Sequence, residues 1–140
     1  VAGPRYYLDT NVVIAIVEST DALSPAQMVF IEGLDRGRLR SVTSELTLAE
    51  CLVKPMADRD PDAVTAYLTF LDGRPELPVL PASRAILIEA ARLRAETGIK
   101  LPDAIHMATA AAASCNVFLT NDRRVKAAAK MKIQWWDELD

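Results

Sequence analysis

The chain has one histidine and two cysteines in 140 residues, too few for the sulfur and imidazole cage that holds structural zinc. Cys51 and Cys115 fall in apolar helical patterns, so buried thiols are expected rather than a disulfide. Basic residues are not in excess either. Sixteen Lys and Arg stand against 19 Asp and Glu, a formal charge of -3, which argues against holding nucleic acid mainly through a broad basic surface. Any nucleic-acid role must come from local sites.

Long apolar runs are also missing. The longest, Val12 to Val17, ends at Glu18 and is far shorter than a membrane span, and Asp9 stands before it where a secretion signal would carry basic residues. A cytoplasmic protein with no membrane partner is the expectation. No repeat, linker or low-complexity segment interrupts the order of elements, so residues 1–140 are expected to form a single domain around one core.

Tyr6-Tyr7-Leu8 reads as a buried strand, Asp9-Thr10-Asn11 as turn and cap, and Val12 to Val17 as a helix. Ser24-Pro25 opens a second helix that runs to Gly37, with Met28, Ile31 and Leu34 at helical spacing. Leu39 to Val42 reads as a brief strand. Thr43 or Ser44 then caps a helix carrying Leu46, Leu48, Ala49, Leu52 and Val53, which Pro55 is expected to end. Asp60-Pro61 starts a helix closed by Gly73, and Leu77 to Leu80 follows as a strand. Ser83 caps a strongly periodic helix ending at Gly98, and Leu101-Pro102-Asp103 begins an Ala-rich one. Val117 to Leu119 reads as a strand, Asp122 to Met131 as a helix and Ile133 to Trp136 as a last strand. On that strand Trp135 and Trp136 would face opposite sides, one toward the core and one toward an edge. Strands alternating with helices in this way predict an α/β fold with a mainly parallel sheet covered on both faces.

In such sheets ligands collect beyond the carboxyl ends of the strands, and Asp9 and Asp122 both follow strand candidates. Taken singly, Asp9, Asp103 and Asp122 read first as helix caps or first-turn residues. Glu50 stands among Leu48, Ala49, Cys51 and Leu52, where an unpaired buried carboxylate would be costly, although an exposed helical stripe would also accommodate it.

Four strings carry a resemblance: Leu8-Asp9-Thr10-Asn11, Thr47-Leu48-Ala49-Glu50, the segment from Leu101-Pro102-Asp103-Ala104 to Ala110, and Leu119-Thr120-Asn121-Asp122. In this order and at these separations the chain resembles the PIN-domain family, particularly its VapC-type toxin branch, over nearly its whole length. The resemblance implies a three-layer α/β/α sandwich with a central, mainly parallel five-stranded sheet. It further implies that Asp9, Glu50 and Asp103 are the main metal-site carboxylates, with Asp122 contributing directly or through water. Four carboxylates within about 4 to 6 Å repel by roughly 1 kcal/mol per pair in water-like surroundings, and by about 4 kcal/mol at an effective dielectric near 20. They must gain protons or bind cations, and oxygen-only ligands suit Mg²⁺ or Mn²⁺.

The resemblance thus implies a divalent-metal-dependent endoribonuclease. It would be the toxin of a toxin-antitoxin pair, with an RNA substrate, a small antitoxin protein as partner, and a homodimeric state. Thr10, Asn11, Thr120 and Asn121 are candidates for hydrogen-bonding the carboxylates or bound water, with capping an equal role for the first two. Arg123 and Arg124, with Lys126 and Lys130, either steer an RNA phosphate or form a solvated face. His106, one turn after Asp103, reads as a structural hydrogen-bonding residue rather than a general base. Glu45 competes with Glu50, but a first-turn dipole role accounts for it. The apolar residues of the first two helices either leave a groove for a partner helix or fill the core. A receiver domain would want paired acidic residues early, and a haloacid-dehalogenase-like phosphatase a second Asp at position 11, where Asn11 stands. The remaining alternative is a catalytically silent PIN-like RNA-binding or scaffold domain.

Overall fold

The computed structural model describes residues 3–19, 22–125 and 131–140. In chain order the elements are β1 (Arg5–Leu8), α1 (Thr10–Glu18), α2 (Pro25–Asp35), β2 (Arg40–Ser44), α3 (Glu45–Ala57) and α4 (Pro61–Phe70). They continue with β3 (Val79–Leu80), α5 (Arg84–Thr97), α6 (Leu101–Ala112), β4 (Val117–Thr120), β5 (Lys132–Trp135) and a closing 3-10 turn, Trp136–Glu138. The five strands lie in the order β3-β2-β1-β4-β5, and every pairing is parallel.

Alternation along the strands divides the interior into two layers. Tyr7 and Phe118, paired across β1 and β4, stack with ring centroids 5.1 Å apart and pack with Ala90, Leu93, Met107 and Ala110 of α5 and α6. Their neighbours Leu8 and Leu119 face the other way, against Val12, Phe30, Cys51 and Tyr67 from α1 to α4. Helices therefore cover both faces, and the fold is a three-layer α/β/α sandwich. Small side chains at Ala104, Ala108 and Ala110, all buried, let α6 lie close to the sheet and to α5.

Local chemistry sets most boundaries. Ser24 and Gln27 form a reciprocal capping box on α2, Asp60 accepts from the Ala63 amide at the start of α4, and Ser83 does the same for Ile86 on α5. Gly98 ends α5 in the left-handed region, φ 76°, where a Cβ would be strained. Several expectations need correction. Pro55 lies inside α3 rather than ending it; burial of its ring in the interior offsets the amide bond that it cannot give. Residues 122–125 form a turn, not the start of a helix, and the rest of that expected helix, 126–130, lies outside the described residues. β3 keeps only two of its expected four residues, because Pro78 has no amide to give the ladder. Trp136 leaves β5 to begin the 3-10 turn, yet it is buried as one of the two tryptophans was expected to be.

Both cysteines are free and buried, and burial pushes their thiols up, to about 12 for Cys51 and about 11 for Cys115. Val12, Val13, Ile16 and Phe30 are core residues, while Met28 is exposed. Among the described residues no helix is long and apolar enough to cross a membrane.

Candidate functional site

β1 lies at the centre of the sheet, and the chain proceeds from it to β2 and β3 on one side and to β4 and β5 on the other. Connections therefore diverge at the carboxyl ends of β1 and β4, which leaves a crevice there. Asp9 follows β1 directly, and Asn121 and Asp122 follow β4. Glu50 arrives from the middle of α3 and Asp103 from the first turn of α6.

Asp9 is buried, and each of its oxygens is occupied. Its Oδ1 accepts from the Thr10 amide at 2.9 Å, and its Oδ2 accepts from the Thr120 hydroxyl at 2.7 Å and from Asn11 Nδ2 at 3.1 Å. The Thr120 hydroxyl also accepts from the Asp122 amide at 3.0 Å, so one side chain ties the turn after β4 to the Asp9 carboxylate. Asn11 reinforces the joint, with its Nδ2 on Thr120 Oγ1 at 3.1 Å and its Oδ1 receiving the Asn121 amide at 2.8 Å. Asn121 differs from expectation in detail: its side-chain oxygen accepts from the Asp137 amide at 3.0 Å and braces the C-terminal turn rather than a carboxylate.

Glu50 is half-buried. Its Oε1 accepts from Thr10 Oγ1 at 2.7 Å and lies 2.6 Å from His106 Nε2. The same imidazole nitrogen is 3.8 Å from Asp9 Oδ1, so carboxylates from β1 and α3 gather around one buried ring. Burial works to raise the Glu50 carboxyl, but the hydrogen bonds from His106 and Thr10 outweigh it and the net shift is downward. Glu45, the competing residue, is exposed in the first turn of α3.

Asp103 shows the repulsion most directly. Partial burial first, then the charges of Asp9 and Asp122, raise its carboxyl above the ordinary value. Asp122 moves the opposite way. Its Oδ1 accepts from Arg124 Nε at 3.0 Å and its Oδ2 from Arg124 Nη2 at 3.1 Å, and that pairing holds its carboxyl below the ordinary range. Arg123 is engaged elsewhere, with its guanidinium 4.2 Å over the Trp135 ring and 2.7 Å from Asp137. Both expected phosphate contacts are thus paired within the chain. Lys126 and Lys130 lie outside the described residues. Beside Asp103 a cavity of about 230 Å³ opens, bordered by Gly98, Lys100, Met107 and Arg124.

The four acidic residues thus share one end of the sheet. A family model of the PIN domain matches residues 6–131. The chain belongs to the PIN-domain family. Similar solved structures include VapBC2 from Rickettsia felis bound to a promoter DNA fragment, at 19% identity and TM-score 0.73 over 95% of this chain and 99% of that one. DNA-bound VapBC from Salmonella typhimurium is similar at 20% identity and TM-score 0.67, over 96% and 99%. VapBC-5 from Mycobacterium tuberculosis, a member of the VapBC family of toxin-antitoxin systems, is similar at 24% identity and TM-score 0.58, over 94% and 98%. At these identities the likeness is one of fold. No curated protein matches the chain.

The donor set of this PIN domain, carboxylates with hydroxyl and amide support, suits a hard divalent cation. Burial first, and then the neighbouring charges of Asp9 and Asp122, raise the Asp103 carboxyl, and a cation beside it would offset both. Among the described residues, no three metal-ligating side chains as they stand are grouped to hold an ion. Asp122 in particular faces Arg124. The residue that sequence reasoning undervalued is His106. Its spacing from Asp103, three positions along α6, places both on one side of the helix, but nothing in the sequence pairs it with Glu50.

Proposed function

We propose that this PIN domain is a divalent-metal-dependent endoribonuclease, the toxin of a VapC-type toxin-antitoxin pair. The observation that carries this reading is the gathering of Asp9 and Glu50 about one buried imidazole at the sheet's divergence point, with a partly buried Asp103, near the charges of Asp9 and Asp122, alongside. Asp9, Glu50 and Asp103 would hold the cation, Mg²⁺ or Mn²⁺, and Asp122 would join directly or through water once it turns from Arg124. A bound cation lowers the pKa of an attacking water and stabilises the leaving oxygen in phosphodiester hydrolysis.

The chain's own residues supply the rest. Thr10, Asn11 and Thr120 orient Asp9 and Glu50, so that negative oxygens are directed before substrate arrives. Arg124 is displaced from Asp122 and becomes available to an RNA phosphate, a charge-assisted contact that positions without reading sequence. An antitoxin partner is supported by the fold's likeness to chains from VapBC assemblies; a homodimer is proposed alongside it.

The test is cleavage of structured and single-stranded RNA by purified protein with Mg²⁺ or Mn²⁺, with chelator, and with Asp9→Asn. The expected result is metal-dependent cleavage that chelator and Asp9→Asn both abolish. Equal cleavage under every condition would reveal a contaminant. RNA binding without cleavage in any of them would favour the silent RNA-binding alternative.

A further inference from the structure

His106 is 2% exposed and uses both ring nitrogens. Nδ1 lies 2.6 Å from the Tyr7 hydroxyl, and Nε2 lies 2.6 Å from Glu50 Oε1. Tyr7 is itself fully buried, and burial raises its phenol well above the ordinary value, so the hydroxyl keeps its proton and needs an acceptor. The Tyr7 hydroxyl and His106 Nδ1 share one hydrogen bond. The Glu50 carboxylate can only accept, so Nε2 carries a hydrogen and donates to it. Thr10 Oγ1 donates to the same Oε1 at 2.7 Å. Two donors therefore occupy Oε1, while Oε2 accepts no hydrogen bond among the described residues.

We infer that His106 is a positioning residue: held between Tyr7 and Glu50, it pins one oxygen of Glu50 and leaves the other directed to the cation. The inference rests on the metal-centre reading given above. A histidine that merely filled the core would satisfy its nitrogens on backbone carbonyls or other core groups. This one instead joins a core tyrosine to a half-exposed carboxylate across 56 residues of chain.

The discriminating experiment compares Mn²⁺ affinity by calorimetry for the wild type, His106→Phe, His106→Gln and Tyr7→Phe, together with ring ¹⁵N NMR of His106 in metal-free protein. Phenylalanine keeps the ring without its nitrogens, and affinity should fall about 10- to 100-fold. Glutamine offers an oxygen to Tyr7 and an amide hydrogen to Glu50, and should bind within about 5-fold of wild type. In Tyr7→Phe the ring should keep its Nε2 hydrogen, because the Glu50 carboxylate only accepts, and Mn²⁺ affinity should fall less than in His106→Phe.

Equal Mn²⁺ affinity in wild type and His106→Phe would sink this inference alone, as would a wild-type ring with no hydrogen on Nε2. A glutamine variant as weak as the phenylalanine one would also overturn it. If His106→Phe does not fold, the glutamine variant and the NMR signature decide. Absence of Mn²⁺ binding by the wild type would instead remove the metal-centre reading on which the inference stands.

Discussion

The two flanks of the acidic crevice hold carboxylates by opposite means. On one flank Glu50 is fixed from beneath by His106 and Tyr7, both buried, through hydrogen bonds of 2.6 Å. On the other, Asp122 is held by Arg124, whose side chain is 78% exposed, in a turn rather than a regular element. A buried hydrogen-bonded chain leaves few alternative geometries, because unmaking any link strands a polar group away from water. An exposed ion pair has water and salt as ready substitutes and contributes little to stability. Glu50's orientation is thus a property of the fold, whereas Asp122's is set by whichever cation is nearest. Asp9 joins the flanks, since Thr120 and Thr10 connect it to both.

Removing the shared anchor should have the largest effect. Asp9→Asn is expected to lower RNA cleavage at least about 100-fold under single-turnover conditions while circular dichroism stays unchanged. Retained cleavage would mean that the flanks work independently.

Next comes the buried flank. Tyr7→Phe strands His106 Nδ1 and should cost about 1 to 3 kcal/mol in urea denaturation. A loss near zero would show that the chain beneath Glu50 is slack. Thr10→Val removes the second donor to Glu50 Oε1 and should weaken Mn²⁺ binding about 3- to 10-fold by calorimetry, less than loss of His106.

Asp103→Asn should separate function from stability. Cleavage is lost, yet the metal-free protein should melt about 1 to 3 °C higher at pH 7, because a carboxyl with a raised folded pKa is ionised there at a cost. That gain should shrink as the pH falls through the raised value and vanish below the ordinary carboxylate pKa of about 4. An unchanged melting temperature at both pH values would mean that the repulsion is already relieved.

The smallest effect belongs to the exposed flank. Arg124→Ala should leave the melting temperature unchanged and tighten Mn²⁺ binding by no more than about threefold, since Asp122 no longer has to be released. A large loss of stability would erase the contrast between the flanks.

Much of this was legible in residue order. Ser24, Asp60-Pro61 and Ser83 announced helix starts because a capping side chain acts within three residues of itself. Tyr7 and Leu8 announced a strand buried on both faces because alternation needs only neighbours. Asp9 at a strand's end pointed to the crevice for the same local reason. Pro55 misled because a local rule cannot show that its ring would be buried against the interior. Asp122 to Val125 misled because helical periodicity does not reveal that a carboxylate will turn back to Arg124.

The order of residues alone determined the alternating elements, their caps and four acidic positions, since each depends on interactions a few residues long. Only the tertiary structure decided that His106 meets Glu50 and that Thr120 bridges Asp9 and the Asp122 amide. The physical reason is that hydrogen-bond direction and burial depend on which strands pair and which helix face turns inward, and those are properties of the closed sheet rather than of any segment.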